Sequence, residues 1–60
     1  MEKKYYSVWV GDGEVNENYI EDKNEALSIA DAWKAKDYDD VFVEELVEDE
    51  NGNIVHNAWL

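Results

Sequence analysis

From Asp37 to Glu50 the chain carries eight carboxylates (Asp37, Asp39, Asp40, Glu44, Glu45, Glu48, Asp49 and Glu50) and no cation. Acids at this density could catalyse as a paired acid and base, hold a divalent ion, or display charge to a cationic surface. Catalysis gains no support from abundance, since any two of sixteen acids can meet by chance. The run Glu48-Asp49-Glu50-Asn51-Gly52 superficially matches a calcium loop. With Gly52 at the sixth position, however, the first ligand falls on Val47, which cannot coordinate. Asp12-Gly13-Glu14 and Asp37-Tyr38-Asp39-Asp40 read more simply as turn and cap acids than as loose ion sites. Zinc is disfavoured by one His and no Cys.

Nucleophilic chemistry has little to draw on. Ser7 falls in a strand pattern, Ser28 within a helix pattern, and His56, the single imidazole, in a strand. Gly11-Asp12-Gly13 lacks the third glycine and the following helix of a dinucleotide fingerprint, and there is no P-loop or nucleophile elbow. The sequence therefore predicts no enzyme, no metal and no cofactor, which leaves charge display. The formal net charge is -11, from 16 Asp and Glu against five Lys and no Arg. Direct nucleic-acid binding needs cations to displace counterions, so this chain is unsuited to it. A basic protein groove is a fitting partner, because carboxylates spaced along strands and turns present a phosphate-like row. The charge also exceeds the magnitude of about 2 to 8 that solubility asks of a small domain.

The elements that must position these acids are short. Sixty residues make one domain, 1–60, with one thin core. With no Cys and no Pro there is no disulfide staple, and a reducing cytoplasmic setting is expected. The run after Met1-Glu2-Lys3-Lys4-Tyr5 is too short for a signal peptide, and no stretch has the length of a membrane span. Eight aromatics and 45% hydrophobic residues argue for folding rather than disorder.

Tyr5 to Val10 reads as a strand entering a tight turn at Gly11-Asp12-Gly13. With Asp12 and Gly13 as the loop pair, Val10 faces Val15, Val8 faces Glu17 and Tyr6 faces Tyr19, and the second strand is short or bulged. Asp22 caps a helix running to about Lys36, its side chain accepting from the Glu25 amide. Its apolar stripe is Ala26, Leu27, Ile29, Ala30 and Trp33. The helix end lacks glycine, so Asp37 must take the left-handed position while Tyr38 folds back on the stripe. Val41 to Val47 and Ile54 to Leu60 form a hairpin about Asn51-Gly52, with a bulge or wet edge at Glu44-Glu45. The fold class is α+β, ββαββ, with a single helix on one face of a four-stranded, mainly antiparallel sheet.

One helix covers one face, and the other face is not cleanly polar. Tyr5, Trp9 and Ile20 point away from the Tyr6-Val8-Val10 face, joined by either Val55 and Trp59 or Ile54, Ala58 and Leu60. Such residues either wrap the edges of a thin core or form an aromatic patch for association.

The segments Tyr6-Ser7-Val8-Trp9-Val10-Gly11, Glu14-Val15-Asn16 and Asp37-Tyr38-Asp39-Asp40-Val41, the last two separated by a helix, resemble small acidic proteins encoded by bacteriophages and other mobile elements. The resemblance implies context: such products include inhibitors of host enzymes and defence systems, DNA mimics and anti-CRISPR proteins among them. The expected function is a non-enzymatic acidic module that binds a basic, nucleic-acid-binding protein through Asp37, Asp39, Asp40, Glu44, Glu45, Glu48, Asp49 and Glu50, anchored by Tyr5, Trp9 and Trp59. The alternative is a small structural protein that self-associates as a homodimer through its aromatic sheet face, with charge serving only solubility.

Overall fold

The structure, a computed structural model, describes residues 3–60. The β-branched and aromatic run Lys4–Val10 forms β1, Gly13–Glu14 forms β2, Lys23–Lys34 forms α1, Val41–Glu48 forms β3 and Ile54–Trp59 forms β4. All strand pairs are antiparallel, and the order across the sheet is β2-β1-β3-β4. This is the expected α+β architecture. β1 and β3 lie at the centre because they hold the longest β-branched and aromatic runs. They pair over their full length, from Lys4 opposite Val47 to Val10 opposite Val41.

The β1–β2 register differs from the sequence expectation by two residues. Val10 pairs with Gly13 and Trp9 with Glu14, which makes Gly11 and Asp12 the loop. Gly11 takes a φ of 60°, the conformation that glycine adopts without steric cost. Pairing then breaks off, as the polar Asn16-Glu17-Asn18 segment suggests. The Asn16 side chain accepts from the Val8 amide at 2.7 Å, and the chain rejoins β1 where Tyr6 and Ile20 exchange backbone bonds of 2.7 and 2.9 Å. Ile20 is consequently buried among the core residues, whereas the sequence register placed it on the opposite face.

Asp22 caps α1 by accepting from the Asn24 amide at 2.9 Å, one residue earlier than the Glu25 amide expected. Ala26 and Ala30 are buried, and Ile29 and Trp33 pack beside them. Leu27, expected in the stripe, is exposed, because small residues alone face the sheet at the closest approach. Asp37 adopts φ 72° as anticipated, and Tyr38 turns back so that its ring meets Trp33 edge-on at 5.3 Å.

The β3–β4 turn is wider than a two-residue Asn-Gly loop. Asp49 accepts at its carbonyl from the Gly52 amide, its carboxylate takes the amides of Asn51 and Asn53, and Gly52 carries the positive φ of a three-residue loop. One strand later the register shifts: Leu46 pairs with His56 but Glu45 with Ala58, so Asn57 is the extra residue of a bulge. The expected irregularity beside Glu45 thus resides on the partner strand. Its effect is to place Ile54, His56 and Trp59 on one face, a set that strict alternation could not produce.

The core under α1 comprises Tyr6, Val8, Ile20, Ala26, Ala30, Val41 and Val43. No helix among the described residues is long and apolar enough to cross a membrane.

Candidate functional site

Strand registers define what the uncovered face carries. Across it run Glu14, Trp9 and Phe42 in one row, Ser7, Glu44 and Trp59 in a second, Tyr5, Leu46 and His56 in a third, and Glu48 with Ile54 in a fourth. Tyr5, Trp9 and Trp59, the three aromatics singled out from sequence, therefore share this face. Phe42 joins them, directly opposite Trp9. It was missed because only a β1–β3 pairing, invisible to local patterns, brings it there.

The polar groups of this face are tied to one another. Glu44 accepts from the Trp9 indole Nε1 at 2.9 Å and from His56 Nδ1 at 2.7 Å. Ser7, fully buried, donates to Glu14, and the Tyr5 hydroxyl donates to Glu48 at 3.2 Å. The rings lie at angles: Phe42 and Trp59 meet edge-on at 6.1 Å, and His56 is 5.1 Å from Trp59. Between Trp9, Gly11, Phe42 and Trp59 opens a largely apolar groove of about 530 Å³. Phe42 is 49% and Trp59 56% exposed, high for residues of such apolar area.

The eight acids of the Asp37–Glu50 run do not form one continuous row. Asp37, Asp39 and Asp40 lie in the α1–β3 connection, at the groove end of the sheet. Asp40 is adjacent to Gly11: its carbonyl accepts the Gly11 amide at 2.9 Å, and Oδ2 lies 2.8 Å from where a glycine-to-alanine β-carbon would stand. Glu44 and Glu48 are on the open face. Glu45 is on the helix side, and Asp49 and Glu50 occupy the turn at the far end of β3, about 20 Å away at the usual rise per strand residue. Alternation along β3 is what divides Glu44 from Glu45. Glu14, outside that run, is the acid the open face adds.

The cations lie away from the groove, and among the described residues Lys3 alone reaches the open face, its Nζ 5.4 Å from the centroid of the Tyr5 ring. Lys3 and Lys4 are at the end of β1 remote from the groove, where Lys3 bonds Glu21 at 2.8 Å and Lys4 approaches Glu45 at 3.8 Å. Lys23 and Lys34 belong to α1, and Lys36 sits 4.7 Å over the Trp33 ring.

Glu45 serves the fold. The Asn57 amide donates to it at 2.7 Å and holds its carboxyl below the usual carboxylate range, assisted by Lys4, Lys23 and Tyr6 and opposed by its burial. A depressed folded-state pKa stabilises the fold above the ordinary carboxylate value, and that contribution is lost as pH falls through the folded value. Acid titration of the melting temperature should accordingly show a decline below about pH 4.5. In Asn57→Ala that acid-sensitive component should shrink, and an unchanged titration would show that the bulge residue does not stabilise the ionised form.

Among the described residues no three His, Asp or Glu side chains converge as a metal site would. No known protein-family model, curated protein or solved structure matches the chain.

Proposed function

We propose that this chain is a non-enzymatic acidic protein-binding module whose open sheet face captures a basic surface of a nucleic-acid-binding protein, acting as a phage-type DNA-mimic inhibitor. One observation carries the reading: the face left bare by α1 combines exposed Phe42 and Trp59 with Glu14, Glu44 and Glu48, on a chain whose lysines lie at the far end of β1 or on the helix side. Exposed aromatics supply contact area at low entropic cost, and the surrounding acids select for a cationic partner and speed its approach. The resemblance to small acidic phage products agrees with this reading.

A self-associating structural role is favoured by a different feature. β4 is an edge strand of sequence Ile-Val-His-Asn-Ala-Trp without a lysine or a carboxylate, so its outer edge lacks a charged guard against strand addition and has only the bulge at Asn57. Solution mass separates the two readings.

The test is a combined Glu14→Gln, Asp40→Asn, Glu44→Gln and Glu48→Gln variant, checked for folding by circular dichroism and compared with the parent for retention of proteins from a bacterial lysate at low and high salt. Proteins retained by the parent should elute with short duplex DNA and be lost from the neutralised variant. Retention that is indifferent to both salt and neutralisation would refute the proposal.

A further inference from the structure

We infer that the groove between Trp9, Phe42 and Trp59 is a receptor for an arginine side chain carried by an extended basic segment of a partner protein. The inference rests on the basic-partner reading above and assigns it a site.

The walls are the rings of Trp9, Phe42 and Trp59, and the negative face of such a ring attracts a cation laid on it. Acids stand at the rim on two sides. Asp40 lies against Gly11, whose missing β-carbon leaves room for its carboxylate, and Glu44 is fixed beside Trp9 by its bond to the indole. An apolar occupant would use the rings and leave the exposed Asp40 carboxylate uncompensated as water is excluded. A guanidinium satisfies both: its plane stacks on an indole, and its fork matches a carboxylate edge. A lysine ammonium is more strongly hydrated and has no plane to stack, so it is the poorer fit.

A second copy of this chain cannot supply the occupant. Its sequence contains no arginine, and two such faces would bring like charges together. Nucleic acid is excluded by the same field. The protein itself shows the interaction on its opposite side, where the Lys36 ammonium rests over Trp33.

The three tryptophans make the test internally controlled. The isotope-labelled chain is titrated at low salt with a capped, arginine-rich glycine-spaced peptide, its uncharged citrulline counterpart and its lysine counterpart. With the arginine peptide the indole resonances of Trp9 and Trp59 should shift saturably while that of Trp33 stays fixed. Citrulline should abolish the response, and lysine should weaken it several-fold. Trp59→Ala and Phe42→Ala, both at exposed positions, should each reduce affinity about five- to tenfold, whereas Glu50→Gln at the far turn should change it less than about twofold. Equal binding of the citrulline peptide, or full affinity in both groove variants, would overturn the inference. Equal binding of the lysine peptide would overturn the choice of arginine. Arginine-peptide shifts confined to the Asp49–Asn53 turn would remove the groove while leaving the basic-partner reading intact, and absence of any shift would count against both.

Discussion

Tyr6→Ala is expected to leave the chain unfolded at room temperature. Tyr6 is 6% exposed, lies opposite Glu45 on β3, and exchanges two backbone bonds with Ile20, so its ring fills the region where three segments converge. Truncating a buried aromatic costs about 3–5 kcal/mol through lost transfer energy and the cavity left behind. A core in a chain of this size rarely supplies more than about 3–5 kcal/mol in total. No disulfide makes up the difference, because the sequence has no cysteine. Far-UV circular dichroism and urea titration provide the measurement. Tyr6→Phe, which keeps the ring, should retain a cooperative transition. If Tyr6→Ala melts cooperatively with a loss below about 1 kcal/mol, the helix-side cluster is not what holds the fold.

Gly11→Val is expected to damage both the fold and the groove. A β-branched side chain at φ 60° is a backbone outlier costing about 1–3 kcal/mol. Its β-carbon would also stand 2.8 Å from Asp40 Oδ2 and displace that carboxylate, while its methyls occupy the groove wall. Gly11→Asn separates the effects, since asparagine tolerates the left-handed region yet still meets Asp40. Urea titration should rank the parent above the asparagine variant and that above valine. Valine as stable as the parent would show that the β1–β2 turn does not require the left-handed residue.

Much of the architecture could be read from local chemistry. Tyr5 to Val10, the Asp22 cap, the left-handed Asp37 and Gly52 each announced an element or its end, because the interactions involved span only a few residues. The misplacements came from choices that local patterns leave open. Gly11-Asp12 and Asp12-Gly13 are both acceptable turn pairs, and the structure uses the one that lets Asn16 cap the Val8 amide and Ile20 reach the core. Leu27 fits a helical stripe by spacing, but the sheet admits only Ala26 and Ala30 at its nearest approach. The candidate site was half legible: Tyr5 and Trp9 were identifiable as aromatics off the core face, while Trp59 stood in one of two alternative registers, and the bulge at Asn57 follows neither. Phe42, Glu14 and Gly11 required the central β1–β3 pairing and the turn register, both products of tertiary structure. The acidic run looked continuous in one dimension, and the fold divides it in four: the α1–β3 connection, the two faces of β3 and the β3–β4 turn.

The bare outer edge of β4 has a bearing on handling. In neutral solution electrostatic repulsion between molecules holds such edges apart. Near pH 4.1, the isoelectric point, that repulsion vanishes while the strand, which has no lysine or carboxylate, keeps its unpaired backbone groups. Concentrated acidic buffers are therefore where edge-to-edge stacking into fibrils is expected to begin.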